Sequence, residues 1–509
     1  MSYRLEISAP ESEEISIALS LDSPSSPLEL ELPGEHGGES TAGLTSYITD
    51  EKAYDASGNE VAVRREGDTW YVDHAGPLTF SYALHLGDDD AGASSPDSPS
   101  GEKSDWAYLP HLDGETAYLP GFAVFVRPRD ASGLQPTLEL ILPEGWRAVT
   151  PWEDQPESME DLLENPVYAG DITLIERESL LVASPSGAPA SGVEGLEEYA
   201  DRASSLLGRA EASLWGLGLP AGRRLLIVMA FGGGTGGEEE DGAIPVSALS
   251  GGAPFSGAIT LTPSRDANPL SEATLEATAH GVASLLLSRG LLVEEEAEWL
   301  RAGGASYLRY LLPYDAGIWG AALFWDRFDR RYEAYLAARS EENGNLTLAG
   351  AAASARDSAS AAALLESGGA VACAALDAGL RSFSQPYALD FAALLRNLRE
   401  MGSASEPLTN DRIRSALESL TGRDWSSFFR EYIAGSAPIP ASAFSALNVT
   451  SPSSQPNDQA TPEGNTSVSG WVLLAVAIFL VFLIPFLLEP YTMRPRKPGF
   501  LERELSKEE

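Results

Sequence analysis

An apolar run near the end of the sequence sets the strongest limit on the architecture of this chain. Residues 471–488 (WVLLAVAIFLVFLIPFLL) carry no charge and are nearly all apolar. At 1.5 Å per residue, a helix of about 18 residues covers about 27 Å, close to the thickness of bilayer hydrocarbon. Trp471 and Tyr491 flank the run as interface anchors would. We therefore predict one transmembrane helix at 471–488 rather than a buried core helix, because so pure a run at a chain end has little left to pack against.

Basic residues set the predicted orientation of this helix. Arg494, Arg496 and Lys497 follow the run, whereas roughly twenty residues before it carry no Lys or Arg. The positive-inside rule then places a tail, 489–509, in the cytoplasm and the bulk of the chain outside it. The start MSYRLEISAP does not resemble a signal peptide. Either a leader is missing from this sequence or the chain is tail-anchored with a cytoplasmic bulk, and we favour the extracytoplasmic arrangement.

Charge and cysteine content exclude several classes of partner and site. The formal net charge is -41, a field that repels phosphate backbones, so we expect no nucleic-acid partner. The single cysteine, Cys373, excludes an internal disulfide and argues against a cysteine-based metal site. It lies in an Ala-rich apolar stretch, which predicts a buried structural thiol.

The pattern of apolar residues predicts a multidomain α+β protein. Residues 1–190 carry short alternating runs such as ISIALSL and LELELP, typical of a β-sandwich-like domain. Residues 191–335 combine the buried-strand pattern RRLLIVMAF with the long helical pattern SEATLEATAHGVASLLLSRGLL, typical of an α+β domain. Residues 336–447 are Ala-rich and helical in pattern. Residues 448–470, rich in Ser, Pro, Asn and Gly, predict a flexible tether before the membrane helix.

The order of these regions, together with four segments, resembles the glycyl aminopeptidase family of thermolysin-like (gluzincin) metallopeptidases. The segments are DLLENPVYAGD (161–171), LGLPAGRRLLIVMAFGGGTGGEEE (217–240), AVACAALDAGLRS (370–382) and LTNDRIRSALESLTGRDWSSFFREYIAGSAPIP (408–440). The resemblance covers roughly residues 1–447. It implies that 191–335 is a thermolysin-like peptidase-type domain and that the ancestral activity is that of a zinc aminopeptidase.

The resemblance also implies where a zinc site would lie, and the chain departs from the family there. In the family one helix bears His-Glu-x-x-His, with two zinc-binding histidines and a Glu acting as general base, and the next helix supplies a third ligand, a Glu. His280 matches the first histidine, but Gly281 stands at the base position and Ser284 at the second histidine. Ala302 stands at the third-ligand position, after Trp299. We therefore expect no catalytic residue, no metal site and no zinc cofactor.

Two remaining residues admit more than one interpretation. We interpret His280 as a hydrogen-bonded, partly buried histidine, the alternative being a rebuilt metal site that also uses acidic residues of the next helix start. These are Glu294, Glu295, Glu296 and Glu298. Glu239 matches the Glu that in the family meets a substrate's amino group, although Glu240 replaces the following histidine. The alternative for Glu239 is a solvated acidic loop tip.

These expectations favour one function and leave two alternatives. The favoured hypothesis is a non-catalytic metallopeptidase homologue, a pseudo-aminopeptidase. It would act as a membrane-anchored module that binds a peptide or protein or serves as a scaffold. The alternatives are a zinc aminopeptidase with an unconventional metal site, and a structural cell-surface protein that mediates assembly.

Overall fold

The strands of the N-terminal region show the alternation that the sequence predicts. In Glu14–Leu21 every second side chain is buried and the others are half-buried or exposed, because successive residues of a strand point to opposite faces. This strand is central in a six-stranded sheet with the order β14-β1-β2-β10-β6-β7. Its strands are β1 Ser2–Glu6, β2 Glu14–Leu21, β6 Ile48–Asp55, β7 Glu60–Val61, β10 Leu78–His85 and β14 Thr137–Ile141.

The coordinates form a computed structural model that describes most of the first 447 residues. The described residues are 1–447 without 23, 25, 37–38, 42, 87–108, 132, 188–191, 216–222, 231–255, 264–267, 341–344, 356–357, 383–388 and 403–405. They all belong to one unit of the chain, Met1–Pro452. The predicted tether, transmembrane helix and tail lie outside the described residues, as does Glu239.

Two further sheets and a hairpin complete the β-rich region. One sheet has the order β13-β3-β9-β8, built from β3 Leu28–Glu31, β8 Val63–Glu66, β9 Thr69–Val72 and β13 Arg127–Pro128. Another has the order β11-β12-β16-β15, built from β11 His111–Leu112, β12 Thr116–Pro120, β15 Arg147–Val149 and β16 Pro166–Gly170. The hairpin pairs β4 Glu35–His36 with β5 Glu39–Ser40. Two short helices, α1 Gly121–Val124 and α2 Met159–Leu163, lie between these strands in sequence.

A mixed four-stranded sheet joins the β-rich region to the helices. Its order is β17-β18-β19-β20, with β17 Ile172–Glu176, β18 Leu180–Pro185, β19 Leu225–Met229 and β20 Ala258–Leu261. Strands β18, β19 and β20 run parallel, and β17 is antiparallel to β18. The sheet draws strands from both sides of the predicted boundary at residues 190 and 191.

Both faces of this mixed sheet are buried, which explains its continuous apolar sequences. In β19, Leu225 and Ile227 belong to the core formed with the helices. Leu226 and Val228 belong to the core formed with the β-rich region. Because side chains alternate across a strand, a sheet covered on both faces needs apolar residues at every position. The run LLIVM of β19 has this composition.

After β20 the described chain is mainly helical, so the predicted α+β architecture with a β-rich N-terminal region and a helical C-terminal part is confirmed. The longer helices are α3 Gly192–Ser213, α4 Glu272–Gly290, α5 Glu298–Asp315, α6 Ala321–Ser340, α7 Leu348–Ala355, α9 Gly369–Arg381, α10 Phe391–Met401 and α11 Asn410–Thr421. The short ones are α8 Ala359–Ala363 and α12 Ser426–Phe428, with π-helical turns at Leu364–Gly368 and Phe429–Ile433. The 3₁₀ turns are Pro10–Ser12, Leu44–Tyr47, Glu295–Ala297 and Ala441–Leu447.

One helical stretch is apolar enough to cross a membrane by length and composition alone. It is Ala359–Arg381, which comprises α8, the π-helical turn and α9, and its most apolar window is 72% buried among the described residues. So deep a burial is typical of a helix in a protein core. Cys373 lies in this helix and is fully buried, which confirms the predicted structural thiol.

Candidate functional site

Helix α4 carries the residues that match the zinc-binding motif. It begins after Ser271, whose hydroxyl accepts a hydrogen bond from the Thr274 amide and so caps the helix. It lies on β20 of the mixed sheet on one side and packs along α5 on another. Because the helix is surrounded, twelve of its residues are buried, including Gly281 and Ser284. The motif positions therefore lie inside the fold and not on an exposed helix face.

His280 is a half-buried residue of α4. Its imidazole is hydrogen-bonded to the backbone of Ala305. Its Nδ1 atom is buried and has no hydrogen-bond partner among the described residues. The interpretation of His280 as a structural histidine stays a prediction.

The electrostatic environment keeps His280 neutral. Burial lowers its pKa first, because a charged imidazolium loses hydration, and the guanidinium groups of Arg309 and Arg331 lower it further. The Glu366 carboxylate and the Ala305 hydrogen bond act in the opposite direction without reversing the shift. The pKa of His280 falls from 6.5 to about 3. The ring is therefore an uncharged group beside two cations.

Gly281 has no room for a side chain. A Cβ atom placed there would lie 2.6 Å from Cγ2 and 3.1 Å from Cδ1 of Ile259, a buried residue of β20. Carbon atoms in van der Waals contact are about 3.5–4.0 Å apart. The glycine thus allows α4 to lie directly on the sheet, and a Glu could take its place only if Ile259 moved.

The other two matched positions are also buried. Ser284, one turn after His280 on α4, and Ala302 on α5 are 5% and 8% exposed. The residue after Ala302 brings α5 close to α9, since a Cβ at Gly303 would lie 2.1 Å from the carbonyl carbon of Gly369. Neither Ser284 nor Ala302 offers an imidazole or carboxylate, so His280 is the one metal-binding side chain at the matched positions.

An ion-pair network includes the three charged groups that act on His280, and we call it the Arg–Glu network. Its charged members are Glu272 and Glu276 of α4, Arg309 of α5, Arg327 and Arg331 of α6, and Glu366 of the π-helical turn. The ion pairs are Glu272–Arg327 at 2.9 Å, Glu276–Arg309 at 3.4 Å, Glu276–Arg327 at 3.7 Å, Glu366–Arg331 at 3.2 Å and Glu366–Arg309 at 3.5 Å. Three guanidinium groups thus face three carboxylates, and the network is formally neutral.

Hydroxyl groups of neighbouring residues contact the network at Arg331 and Glu366. Arg331 donates from Nε to the Tyr310 hydroxyl at 3.1 Å and from one terminal nitrogen to the Ser367 hydroxyl at 3.2 Å. The Ser306 hydroxyl lies 3.5 Å from Glu366 Oε1. Partial burial acts to raise the pKa of Glu366, but the guanidinium groups of Arg331 and Arg309 outweigh it and lower the pKa to about 2. Glu366 is therefore ionised at neutral pH although only 40% of its side chain is exposed.

The residues present do not fit the zinc ion that the resemblance implies. A catalytic zinc takes three protein ligands and keeps one open position. Among the described residues no group of three or more His, Cys, Asp or Glu side chains is placed to hold a metal. The matched positions supply one imidazole, and two cationic groups act on it.

Two of the four acidic residues considered for a rebuilt site, Glu296 and Glu298, have other contacts. Glu296 accepts a hydrogen bond from the Asn410 amide at 3.0 Å, and Glu298 pairs with Arg301 at 2.9 Å. Burial raises the pKa of Glu298, although Arg301 opposes the shift. These contacts tie Glu296 and Glu298 to the start of α5 and to α11.

Sequence reasoning missed the Arg–Glu network. Its only sequence signal is helical spacing, with Glu276 one turn before His280 and Arg327 one turn before Arg331. Such spacing marks a shared helix face but does not identify the partner on another helix. The pairing of Arg309 and Arg331 with Glu366 joins segments far apart in sequence and required the structure.

Comparison with known proteins relates the chain to peptidases. Residues 2–171 match the family model of the Peptidase M61 N-terminal domain. The crystal structure of an aminopeptidase N family protein from Idiomarina loihiensis is similar, with a TM-score of 0.67, 15% sequence identity, and coverage of 88% of this chain and 78% of that one. Native yeast LTA4 hydrolase aligns with a TM-score of 0.46, 12% identity, and coverage of 86% of this chain and 68% of that one. No curated protein matches the sequence. The chain thus resembles the Peptidase M61 N-terminal domain over its first third and has a fold similar to that of the aminopeptidase N family protein.

Proposed function

We propose that this protein is a non-catalytic homologue of the zinc aminopeptidases that binds a peptide or protein and is anchored in a membrane. The observation that carries the proposal is the setting of His280. A neutral histidine lies beside Arg309 and Arg331, at the position where the resemblance implies a zinc ligand.

Hydrolysis of a peptide bond by the family's route needs a metal-bound water and a carboxylate that accepts its proton. Gly281 offers no carboxylate, and the space that a Glu side chain would need is taken by Ile259. Ser284 and Ala302 supply no ligand. These features favour a role without catalysis over a zinc aminopeptidase with an unconventional site.

A peptide or protein ligand is proposed from the kind of fold that is retained. The similar solved structure is described as an aminopeptidase N family protein, and such enzymes act on peptides. The structural similarity covers 88% of this chain. We base the loss of the reacting groups on the residues at positions 281, 284 and 302. Fold alone does not fix function, so the ligand class remains part of the proposal.

The membrane anchor is proposed from the sequence. The apolar run 471–488 has the length and composition of a spanning helix. The basic residues after it favour a cytoplasmic tail and an extracytoplasmic bulk. Protease treatment of intact and permeabilised cells tests this arrangement, since an extracytoplasmic bulk is cleaved in intact cells and a cytoplasmic one is protected.

Metal content tests the proposal directly. The full chain, purified in detergent, is dialysed against trace zinc and examined by elemental analysis, alongside assays of aminopeptidase substrates with and without a chelator. We expect far less than one zinc per chain and no chelator-sensitive hydrolysis. One zinc per chain together with chelator-sensitive activity would refute the proposal.

A further inference from the structure

We infer that Asn345 is an N-glycosylation site, with an oligosaccharide joined to its side-chain amide. The acceptor sequence, or sequon, Asn-x-Ser/Thr is matched by Asn345, Leu346 and Thr347, with no proline at the middle position. The inference rests on the proposed function, in which the bulk of the chain is extracytoplasmic, because N-glycans are transferred outside the cytoplasm. It goes further by assigning a covalent modification to one residue of the helical region.

The acceptor asparagine lies in a turn at the protein surface. Asn345 is exposed and belongs to the connection between α6 and α7. Among the described residues, none forms a hydrogen bond with its side chain. The amide nitrogen is therefore available for modification, and a bulky glycan at this position would extend into solvent.

Contacts of the next two residues fix the position of this turn. Leu346 packs against the core formed by the helices, and its carbonyl oxygen accepts a hydrogen bond from Arg339 at 2.5 Å. Thr347 caps α7, since its hydroxyl oxygen accepts a hydrogen bond from the Gly350 amide at 3.0 Å. The sequon is thus attached to the fold through its second and third residues, both half-buried, while its asparagine is exposed.

No other asparagine in the described part of the chain lies in a sequon. Asn165 is fully buried, and its side chain is hydrogen-bonded inside the fold. Asn59 is exposed like Asn345, but a valine stands two residues after it. The sequons at Asn448 and Asn465 lie outside the described residues. Acceptor sequence and observed exposure therefore coincide at Asn345.

The modification is a glycosyl transfer with a second reactant from the membrane. That reactant is an oligosaccharide whose anomeric carbon is joined through oxygen to a polyprenyl phosphate or diphosphate. Nδ2 of Asn345 forms a bond to the anomeric carbon while the bond from this carbon to the phosphate oxygen breaks. The phosphate leaves with the bonding electron pair, and Nδ2 gives up one proton. The product is a neutral N-linked amide.

Mass spectrometry of the full chain tests the inference. The protein is purified in detergent from membranes of its source organism and digested with trypsin. Residues 340–356 then form one peptide, bounded by Arg339 and Arg356, that contains a single sequon. We expect added sugar mass on this peptide in most copies, with fragment ions that place it at Asn345. The peptide that contains the exposed Asn59 should be unmodified.

Substitutions within the sequon provide matched controls. Thr347→Ala removes the hydroxyl group and should abolish the added mass although Asn345 remains, whereas Thr347→Ser keeps both the sequon and the cap of α7 and should retain it. Because Thr347→Ala also removes the cap, Asn345→Gln is examined in parallel. It leaves the cap in place and should lose the same added mass.

An unmodified peptide 340–356, or sugar that persists on it in the Asn345→Gln variant, would overturn the inference. Protease treatment of intact and permeabilised cells separates this failure from that of the proposed function. If the bulk is cleaved in intact cells and Asn345 is unmodified, the inference is wrong and the proposed membrane arrangement stands. If the bulk is protected in intact cells and Asn345 is unmodified, both are wrong.

Discussion

Replacing Gly281 by alanine measures how tightly α4 lies on the mixed sheet. In an unobstructed helix, alanine in place of glycine stabilises by about 1 kcal/mol, because glycine has more conformational entropy to lose. At Gly281 the new Cβ would approach Ile259 Cγ2 to 2.6 Å. To reach a normal carbon–carbon contact of about 3.6 Å, Ile259 would have to move by about 1 Å. Overpacking of this kind costs about 1–3 kcal/mol.

Ile259 has little freedom to make this shift. It is 2% exposed and lies in β20, where it pairs in register with Ile227 of β19. Since interiors are packed to crystal-like density, we place the overpacking cost near the upper end of the range. After subtracting the helix-propensity gain, Gly281→Ala should destabilise the chain by about 1–2 kcal/mol.

Urea unfolding of the full chain, followed by circular dichroism and tryptophan fluorescence, provides the assay. A matched control is Gly208→Ala in α3, where a Cβ would have no neighbour within 4 Å and the substitution should stabilise. In an Ile259→Ala background the obstruction is gone, so Gly281→Ala should become neutral or stabilising there. A coupling of about 2 kcal/mol between the two sites is expected from this reversal.

The reasoning fails if Gly281→Ala is as stable as the unsubstituted chain, or if its effect is the same with and without Ile259. Either result would mean that the helix–sheet contact relaxes easily. A Glu at position 281 would then no longer be excluded on steric grounds.

Two further predictions concern buried charge. Asp377 is fully buried and accepts hydrogen bonds from the Tyr307 hydroxyl at 2.6 Å, Arg381 Nε at 2.9 Å and the Phe391 amide at 2.8 Å. Asp377→Ala should therefore lower the free energy of unfolding, measured in urea, by about 3–5 kcal/mol. A loss below about 1 kcal/mol would contradict this. His280 has a folded-state pKa of about 3 against an ordinary 6.5, so the stability it contributes is fully present above pH 6.5 and is lost as the pH falls toward 3. Stability measured across that window should therefore fall by up to about 1.4 kcal/mol per pH unit, and His280→Gln should flatten the slope, whereas an unchanged slope would show that other groups dominate.

Much of the fold could be predicted from local pattern alone. Alternation predicted strands such as β2, the apolar run RRLLIVMAF predicted a buried strand where β19 lies, and helical spacing predicted a long helix where α4 lies. These features depend on neighbours within one element. The parallel pairing of β18 with β19 was not predicted, because it joins segments separated by α3, and register between distant strands has no local signal.

In the candidate site, too, local patterns could be predicted from the sequence and contacts between distant segments could not. The departures at Gly281, Ser284 and Ala302 were readable because a known motif fixes their spacing. The contact between Gly281 and Ile259 was not, since it depends on how closely a helix and a strand pack. A glycine within an Ala-rich helix has many explanations, and only the 2.6 Å approach identifies this one.

Two separate obstacles to zinc chemistry therefore coexist at this site, and they act on different parts of it. The packing of Gly281 on Ile259 concerns the general base, because it removes the space for a carboxylate. The side chains of Ser284 and Ala302 concern the ion, because they leave His280 as the one metal-binding side chain at the matched positions. Ser284→His together with Ala302→Glu should therefore restore metal binding without hydrolysis, whereas making space at position 281 should restore neither. A chain that regained both metal and activity after the ligand substitutions alone would show that the base is supplied from elsewhere, and the role assigned to Gly281 would then be wrong.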